Sequence, residues 1–334
     1  MKAQHTITAT LGAAALALGT AGAASAGTEA PLKVTGQEAL RGAKTVTVGA
    51  FNVGFIFESV DQTKATGGLM GAFGGATKAQ SELVGVTPEM MQTVADRAYA
   101  DFVQQLGAAG FAVQDPAVTF AAPALVKPHG QPAPADVNIA LEKGSKGKAT
   151  YVKPAALPVL IFLPGDFTGS GMSSIGMNMA AGQASGELSS YARQSGIPVI
   201  DVTYLIDFSD QKRPGAFSFG GLEVNANLAV SSGFSRMTVL GANGKTATVT
   251  FKQGVSVDGD FVERRDTTSG TSKTTQAAAN VAGGVAAAFG FGGMRFGKTR
   301  KFAFTAKPGS YETGAVKAAS LANTQLVGVL QSSR

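Results

Sequence analysis

The chain reads as an α/β (α+β) protein, with a mixed sheet flanked by helices and an antiparallel hairpin in its C-terminal half. Three stretches carry that expectation. Lys44 to Phe57 is dominated by Val46, Val48, Phe51, Val53, Phe55 and Phe57, the composition of a buried strand. TPEMMQTVADRAYADFVQQLGAAG repeats apolar residues at intervals of three and four (Met91, Val94, Ala98, Phe102, Leu106), the stripe of an amphipathic helix. FSRMTVLGANGKTATVTF centres on Asn243-Gly244, a strong two-residue turn signal between alternating strands.

In chain order, the first 26 residues have the layout of a secretory signal peptide. Lys2 supplies the basic start, an apolar middle runs from about Leu11 to Ala23, and Ala24-Ser25-Ala26 forms a small-residue cleavage site. The apolar part is too short and too rich in Ala and Gly to be kept as a membrane span. The expectation is export to the periplasm or the medium, with cleavage after Ala26. The organisation that follows is a polar lead-in over 27–43, an α/β domain over 44–265, and a glycine-rich segment with a C-terminal helix over 266–334.

Within the domain, Thr87 is the expected helix N-cap, Pro88 the first helical residue and Glu89 a complement to the helix dipole. Gly107 or Gly110 closes that helix. FAVQD, from Phe111, is a short strand, and residues 123–134 (PALVKPHGQPAP) form a linker-like proline loop. Leu157 to Pro164 (LPVLIFLP) is expected as a buried strand. A helix follows over about Asn178 to Gln194, ended by Gly196, and Ile197 to Phe208 is a further strand. LEVNANLAV alternates as a half-buried antiparallel strand. The tail offers a short strand near Phe302–Phe304 and a last helix over about Tyr311 to Leu330.

GGLMGAFGGATK, Gly67 to Lys78, raises the question of a phosphate loop, because it lies between strand and helix and ends in lysine. The frame G-x-x-x-x-G-K-[ST] fails, since Ala76-Thr77 separate the last glycine from Lys78, and no G-x-G-x-x-G frame fits. Nucleotides are not maintained outside the cytoplasm, so no nucleotide is expected. The stretch is expected as a loop. AAAFGFGGMRFGK has the same texture of small residues, Phe and Met closed by a base. Three readings stand open for the pair: mobile loops, packing together through small residues, or apolar hairpins that touch a membrane or a neighbouring subunit. On the last reading the interaction residues are Leu69, Met70, Phe73 and Lys78 in one run, and Phe289, Phe291, Met294, Arg295 and Phe296 in the other.

Catalytic parts are few. The sequence has no cysteine, which removes disulfides and thiolate metal sites, and two histidines, of which His5 belongs to the signal peptide. His129 is then the single imidazole of the mature chain, so zinc and other metals are not expected. LPGDFTGSGMSSIG resembles the rim of a hydrolase sheet, and Ser173 and Ser174 with His129 are its candidate nucleophiles and base. The elbow G-x-S-x-G is incomplete, because Gly171 is followed by Met-Ser-Ser-Ile. Asp201 and Asp207 share a strand face about 20 Å apart, beyond the ~5–10 Å of a glycosidase carboxylate pair. Asp258, Asp260, Glu263 and Asp266 are expected in a turn whose acids pair with Arg264 and Arg265. Without Lys2 the mature chain carries 27 basic and 22 acidic residues, a net +5. Its short Lys/Arg clusters lack the interleaved aromatics of a nucleic-acid binder.

The order of elements is similar to that of the periplasmic domain of the curli-secretion channel family and its relatives in envelope assembly. VTVGAF resembles that domain's opening strand, and LGAAGFAV the end of the helix that follows; GIPVIDVTYLIDF and the hairpin extend the likeness over about Lys44 to Glu263. Members of the channel family are lipoproteins, whereas this chain has no cysteine to lipidate. The resemblance implies a non-catalytic envelope protein without cofactor, whose partners are an envelope protein or polymer, or a second copy of itself, with peripheral membrane contact as a further mode. The other readings are a serine-type hydrolase of an envelope polymer or ester, and a membrane-touching oligomeric assembly.

Overall fold

The computed structural model describes residues 31–64, 76–122, 125, 129–140, 146–167, 173–212, 223–269 and 298–333. In chain order the strands are β1 (Leu32–Thr35), β2 (Thr45–Lys64), β3 (Ala76–Val84), β4 (Ala112–Gln114), β5 (Ala135–Ile139), β6 (Lys146–Val152), β7 (Val199–Lys212), β8 (Glu223–Val230), β9 (Arg236–Leu240), β10 (Thr246–Phe251), β11 (Val255–Val257), β12 (Val262–Asp266) and β13 (Lys298–Ala306). The α-helices are α1 (Pro88–Ala108), α2 (Pro116–Phe120), α3 (Ser173–Ser195) and α4 (Ser310–Ser332), with one 3₁₀ turn at Gln37–Leu40. All strands among the described residues join one mixed sheet, so the expected α/β (α+β) architecture is what the chain adopts.

β2 is the spine. It runs parallel to β7 from Thr47 to Phe55 and antiparallel to β3 from Glu58 to Lys64. β6 pairs with β2 over Val53–Val60 and therefore occupies the opposite edge from both. β7 and β3 thus succeed one another along a single edge of β2, and the sheet forks where β7 departs after Phe55. One leaf is β7–β8 with β11; the other is β2–β3–β13–β12, in which β13 runs parallel to β3. Phe208 of β7 and Phe304 of β13 close the fork, with ring centroids 4.9 Å apart.

Both faces of the spine are covered, which is why its sequence is apolar in both parities. Phe51 packs on Tyr99 and Phe102 of α1 and on Tyr204 of β7. α4 lies beside α1 with Ala315, Ala318, Ala319 and Ala322 buried; these small side chains let the two helices approach closely. Tyr204 Oη donates to Asn323 Oδ1 at 2.7 Å, and Asn323 Nδ2 donates to Ala98 O and Asp101 Oδ2. That network ties α4 to α1 and to the sheet. The opposite face, defined by Ala50, packs against Ala184, Leu188 and Ala192 of α3 and against Ile161 and Leu163.

α1 begins as expected: Thr87 Oγ1 accepts from Met90 N at 3.3 Å and Pro88 is its first residue. Gly196, with φ 72°, follows the end of α3. Asn243-Gly244 lies in the β9–β10 connection, where Gly244 has φ 75° and Asn243 Oδ1 accepts from Lys245 N.

Several expectations are corrected. Leu157–Pro164 is buried but is not a ladder strand; only Leu160 forms an isolated bridge, with Gln131. Its prolines at 158 and 164 cannot donate, and the segment crosses the sheet face instead of joining an edge. Ala76–Lys78, expected in the glycine loop, begins β3, whose alternating small residues Ala79 and Ser81 face inward beside Leu83. The lead-in contains β1, paired with β10. The boundary at 265/266 separates nothing, since β12 pairs with β13 and β13 with β3. Val262–Asp266 is a strand, not a turn; Asp266 pairs with Arg300 at 3.0 Å and Asp260 with Lys307, while the Arg264 guanidinium lies over the Phe302 ring.

Candidate functional site

A cluster of buried polar groups lies on the α3 face of the sheet, in two neighbouring rows. Strand pairing sets Asn52, Thr203 and Arg236 side by side on β2, β7 and β9, and sets Ala50, Asp201 and Thr238 side by side one step earlier. Partners in a ladder point to the same face, and so do residues two apart on a strand. Segment 157–167 roofs these rows. Asn52 Nδ2 donates to Ile161 O at 2.6 Å and to Thr203 Oγ1 at 3.2 Å. Asp166 Oδ2 accepts from Leu163 N at 2.7 Å, and its Oδ1 accepts from Arg236 Nε at 2.9 Å. The roof has almost no ladder bonds of its own, so buried side chains below it satisfy its backbone.

Close packing around this cluster explains two glycines. A Cβ on Gly54 would stand 2.5 Å from Tyr151 Cε1, so glycine admits the Tyr151 ring over β2. Gly165, with φ 91°, lies against the Arg236 guanidinium, where a Cβ would stand 2.2 Å from Nη2. Phe162 of the roof meets the Tyr151 ring edge-on, with centroids 5.1 Å apart.

Among the described residues several atoms here have no hydrogen-bond partner: Asn52 Oδ1, Tyr151 Oη, Arg236 Nη2 and both carboxylate oxygens of Asp201. Burial raises the pKa of Asp166, against the opposing pull of the Arg236 guanidinium. Burial, and after it the Asp166 carboxylate, holds Asp201 well above the usual carboxylate range. Burial, followed by Asp166, also pushes the Tyr151 phenol up. The cluster is therefore an ion pair beside a carboxyl that binds its proton more tightly than usual, burial outweighing the Ala50 N–H that favours its charge.

The candidate hydrolytic residues are not assembled around this cluster. His129 Nδ1 lies 2.6 Å from Glu187 Oε1, and its backbone N–H donates to Glu187 Oε2. Glu187 sits thirteen residues beyond Ser174 on α3, about 20 Å along the helix at ~1.5 Å per residue. Ser174 is buried near the start of α3, and Ser173 is the helix's first residue. Asp201 belongs to the buried rows, whereas Asp207 accepts from Ser209 N at a bulge in β7.

Of the interaction residues, Lys78 is exposed on β3, opposite Gln62 of β2 and Thr299 of β13. Leu69, Met70, Phe73, Phe289, Phe291, Met294, Arg295 and Phe296 lie outside the described residues. The strand directions nonetheless fix where their segments attach. β2, β5, β7 and β12 end, and β3, β6, β8 and β13 begin, at the same end of the sheet. Residues 65–75, 213–222 and 270–297 therefore attach at one pole, and Ala76 and Lys298 stand on adjacent parallel strands.

Among the described residues no helix is long and apolar enough to cross a membrane, and no three His, Cys, Asp or Glu side chains gather as a metal site. Set against protein-family models, curated proteins and solved structures, the chain matches none.

The buried rows were not found from sequence as a site. Their signals are an asparagine inside VGAFNVGFIF and an aspartate inside IPVIDVTYLI, polar residues in otherwise buried runs.

Proposed function

We propose that this is an exported, non-enzymatic protein that acts by binding or assembly at the bacterial envelope, its partner an envelope protein or polymer or a second copy of the chain. The observation that carries the reading is the shared pole. Three strand connections that are rich in Gly and Phe and carry few charges attach at one end of the sheet. Residues 65–75 contain no charged residue, 213–222 contain Arg213 alone, and 270–297 contain Lys273 and Arg295. Apolar segments anchored at one pole suit contact with another surface, and among the described residues β5 and β12, which pair on one side only, leave edges that can template a neighbouring strand. The likeness to the curli-secretion channel family points the same way.

A serine-type hydrolase is the alternative. It needs an imidazole at the candidate hydroxyls, and His129 is held by Glu187 far along α3 from Ser174.

The test replaces 65–75 and 270–297, singly and together, with short Gly-Ser linkers. Light scattering after size-exclusion chromatography and flotation with liposomes are then measured on the purified full chain. Loss of self-association or of flotation in the variants is the expected result. If the wild type shows neither property and binds no isolated envelope fraction, the reading fails. Ester hydrolysis by the wild type that disappears in His129→Ala or in Ser173→Ala/Ser174→Ala establishes the alternative.

A further inference from the structure

Asp201 sits at the contact between β7 and α3. Its Oδ1 lies 2.8 Å from where a Cβ on Gly49 would stand, and the same point is 2.5 Å from Val199 Cγ1 and 3.2 Å from Leu188 Cδ2 of α3. The carboxyl is packed among aliphatic groups, 4% exposed, without a side-chain hydrogen-bond partner, and the Ala50 N–H beside it is the one group that favours its charged form. The charged or titratable groups that the surrounding elements bury are Asp166 from the roof, Arg236 from β9, Tyr151 from β6 and Tyr191 from α3; Glu187 of α3 is held by His129, and Arg193 of α3 is exposed and bonds Ser190. β2 presents Gly49, Ala50 and Asn52, none of which titrates. Arg236 is engaged by Asp166, and Tyr191 accepts from Gln114 Nε2. No cation is left to balance a charge on Asp201, and the nearest charge that acts on it is the carboxylate of Asp166.

The layer above Asp201 joins the sheet through side-chain packing and polar contacts, with a single isolated bridge and no ladder. α3 carries Gly176, Gly182 and Gly186 at helix-interior positions where nothing stands within 4 Å. Each such glycine weakens a helix by ~1 kcal/mol relative to alanine. The helix also leaves Ile175 and Met179 exposed, and its sheet-facing side is mostly alanine. The roof has no ladder: it is held by the packing of Leu160, Ile161, Phe162 and Leu163, by polar contacts from Asn52 and Lys153, by the Gln131 bridge and by the Asp166–Arg236 ion pair. A layer attached without a ladder, and carrying helix-interior glycines, can part from the sheet without breaking strand pairing.

We infer that α3 and the 157–167 roof form a proton-locked cover over the sheet, which opens when Asp201 gives up its proton to solvent. In the closed cover Asp201 is a neutral acid, and ionisation there places an unbalanced charge among Val199, Leu188 and Gly49. In the open cover the carboxylate is hydrated and the proton goes to water. Rising pH therefore favours the open form, up to ~tenfold in the opening constant per pH unit for one linked proton. Acid conditions close it.

The test is amide hydrogen exchange on the full chain between about pH 5 and 8, with rates divided by their intrinsic pH dependence. The opening constant of α3 amides is expected to rise with pH, by up to ~tenfold per unit, while amides of α1 on the opposite face stay flat. Asp201→Asn, which keeps the shape of the neutral acid, removes the rise. A flat wild-type profile in α3, or the same slope in Asp201→Asn, overturns the inference. Carboxyl ¹³C resonances of the wild type ask the question without a substitution: Asp201 must remain protonated above the ordinary aspartate range, and titration within that range overturns the inference even where the variant fails to fold.

Discussion

The carboxylate of Asp166 grips the guanidinium of Arg236 across seventy residues of sequence, Oδ1 to Nε 2.9 Å, while its other oxygen holds the Leu163 amide. One side chain thus anchors the roof both to itself and to β9. Removing the carboxylate strands a largely buried cation, so Asp166→Ala is expected to cost about 3–5 kcal/mol. Replacing both partners, Asp166→Leu with Arg236→Leu, leaves no unbalanced charge and costs less than the single change. Urea unfolding of the two variants checks the order.

The same pair sets a pH dependence. Burial holds the folded-state pKa of Asp166 above its unfolded value, so folding retains a proton that unfolding releases. Stability from this group therefore falls as pH rises from the unfolded value, ~3.9, through the folded one. Arg236→Met removes the opposing cation and pushes that folded value higher. The variant's urea midpoint, relative to wild type, is expected to decline more steeply between about pH 4.5 and 7.5.

Gly54 exists to admit Tyr151. An added methyl would stand 2.5 Å from the ring, and Gly54→Ala is expected to cost about 1–3 kcal/mol through overpacking. Tyr151→Leu in the same chain makes room, and the double variant should lose less than the sum of the two singles. Thermal denaturation of the four proteins measures the coupling.

Phe208 and Phe304 hold the two leaves of the sheet together at the fork. Phe304→Ala opens a cavity in a fully buried site and is expected to cost about 3–5 kcal/mol. The loss should be local in character: hydrogen exchange in β12 and β13 accelerates more than in β9 and β10.

Asn323 is the polar pin of an otherwise alanine-rich helix contact. Asn323→Ala leaves Tyr204 Oη and Asp101 short of a partner, for an expected loss of about 1–3 kcal/mol. Tyr204→Phe removes one bond alone and should cost less in the same assay.

The fold was legible where one physical signal dominates. The cap and stripe of α1, the apolar spine of β2 and the Asn-Gly connection of β9 and β10 are each local patterns. β3 was missed because its inward residues Ala79 and Ser81 are small and the alternation is faint, and β5 and β6 because Val137 with Ile139, and Tyr151 with Val152, are too few to stand out as runs. Leu157–Pro164 misled for the opposite reason: it is as apolar as a buried strand, but its prolines keep it off the ladder and turn it into a roof. The buried rows draw on Asn52, Tyr151, Asp166, Thr203 and Arg236, five positions from separate segments. No spacing in the sequence relates them; strand order does.

The parallel register between β3 and β13 pairs Thr77 with Lys298 and continues to Val84 with Thr305. A chain emerging from its N-terminus has completed β3 long before its partner strand exists. Until then one edge of the β2–β3 ribbon is open, with unpaired amides and carbonyls available to any other extended chain. Distant pairing of this kind slows folding, so polypeptides ended before residue 298 should aggregate more readily than the full-length chain.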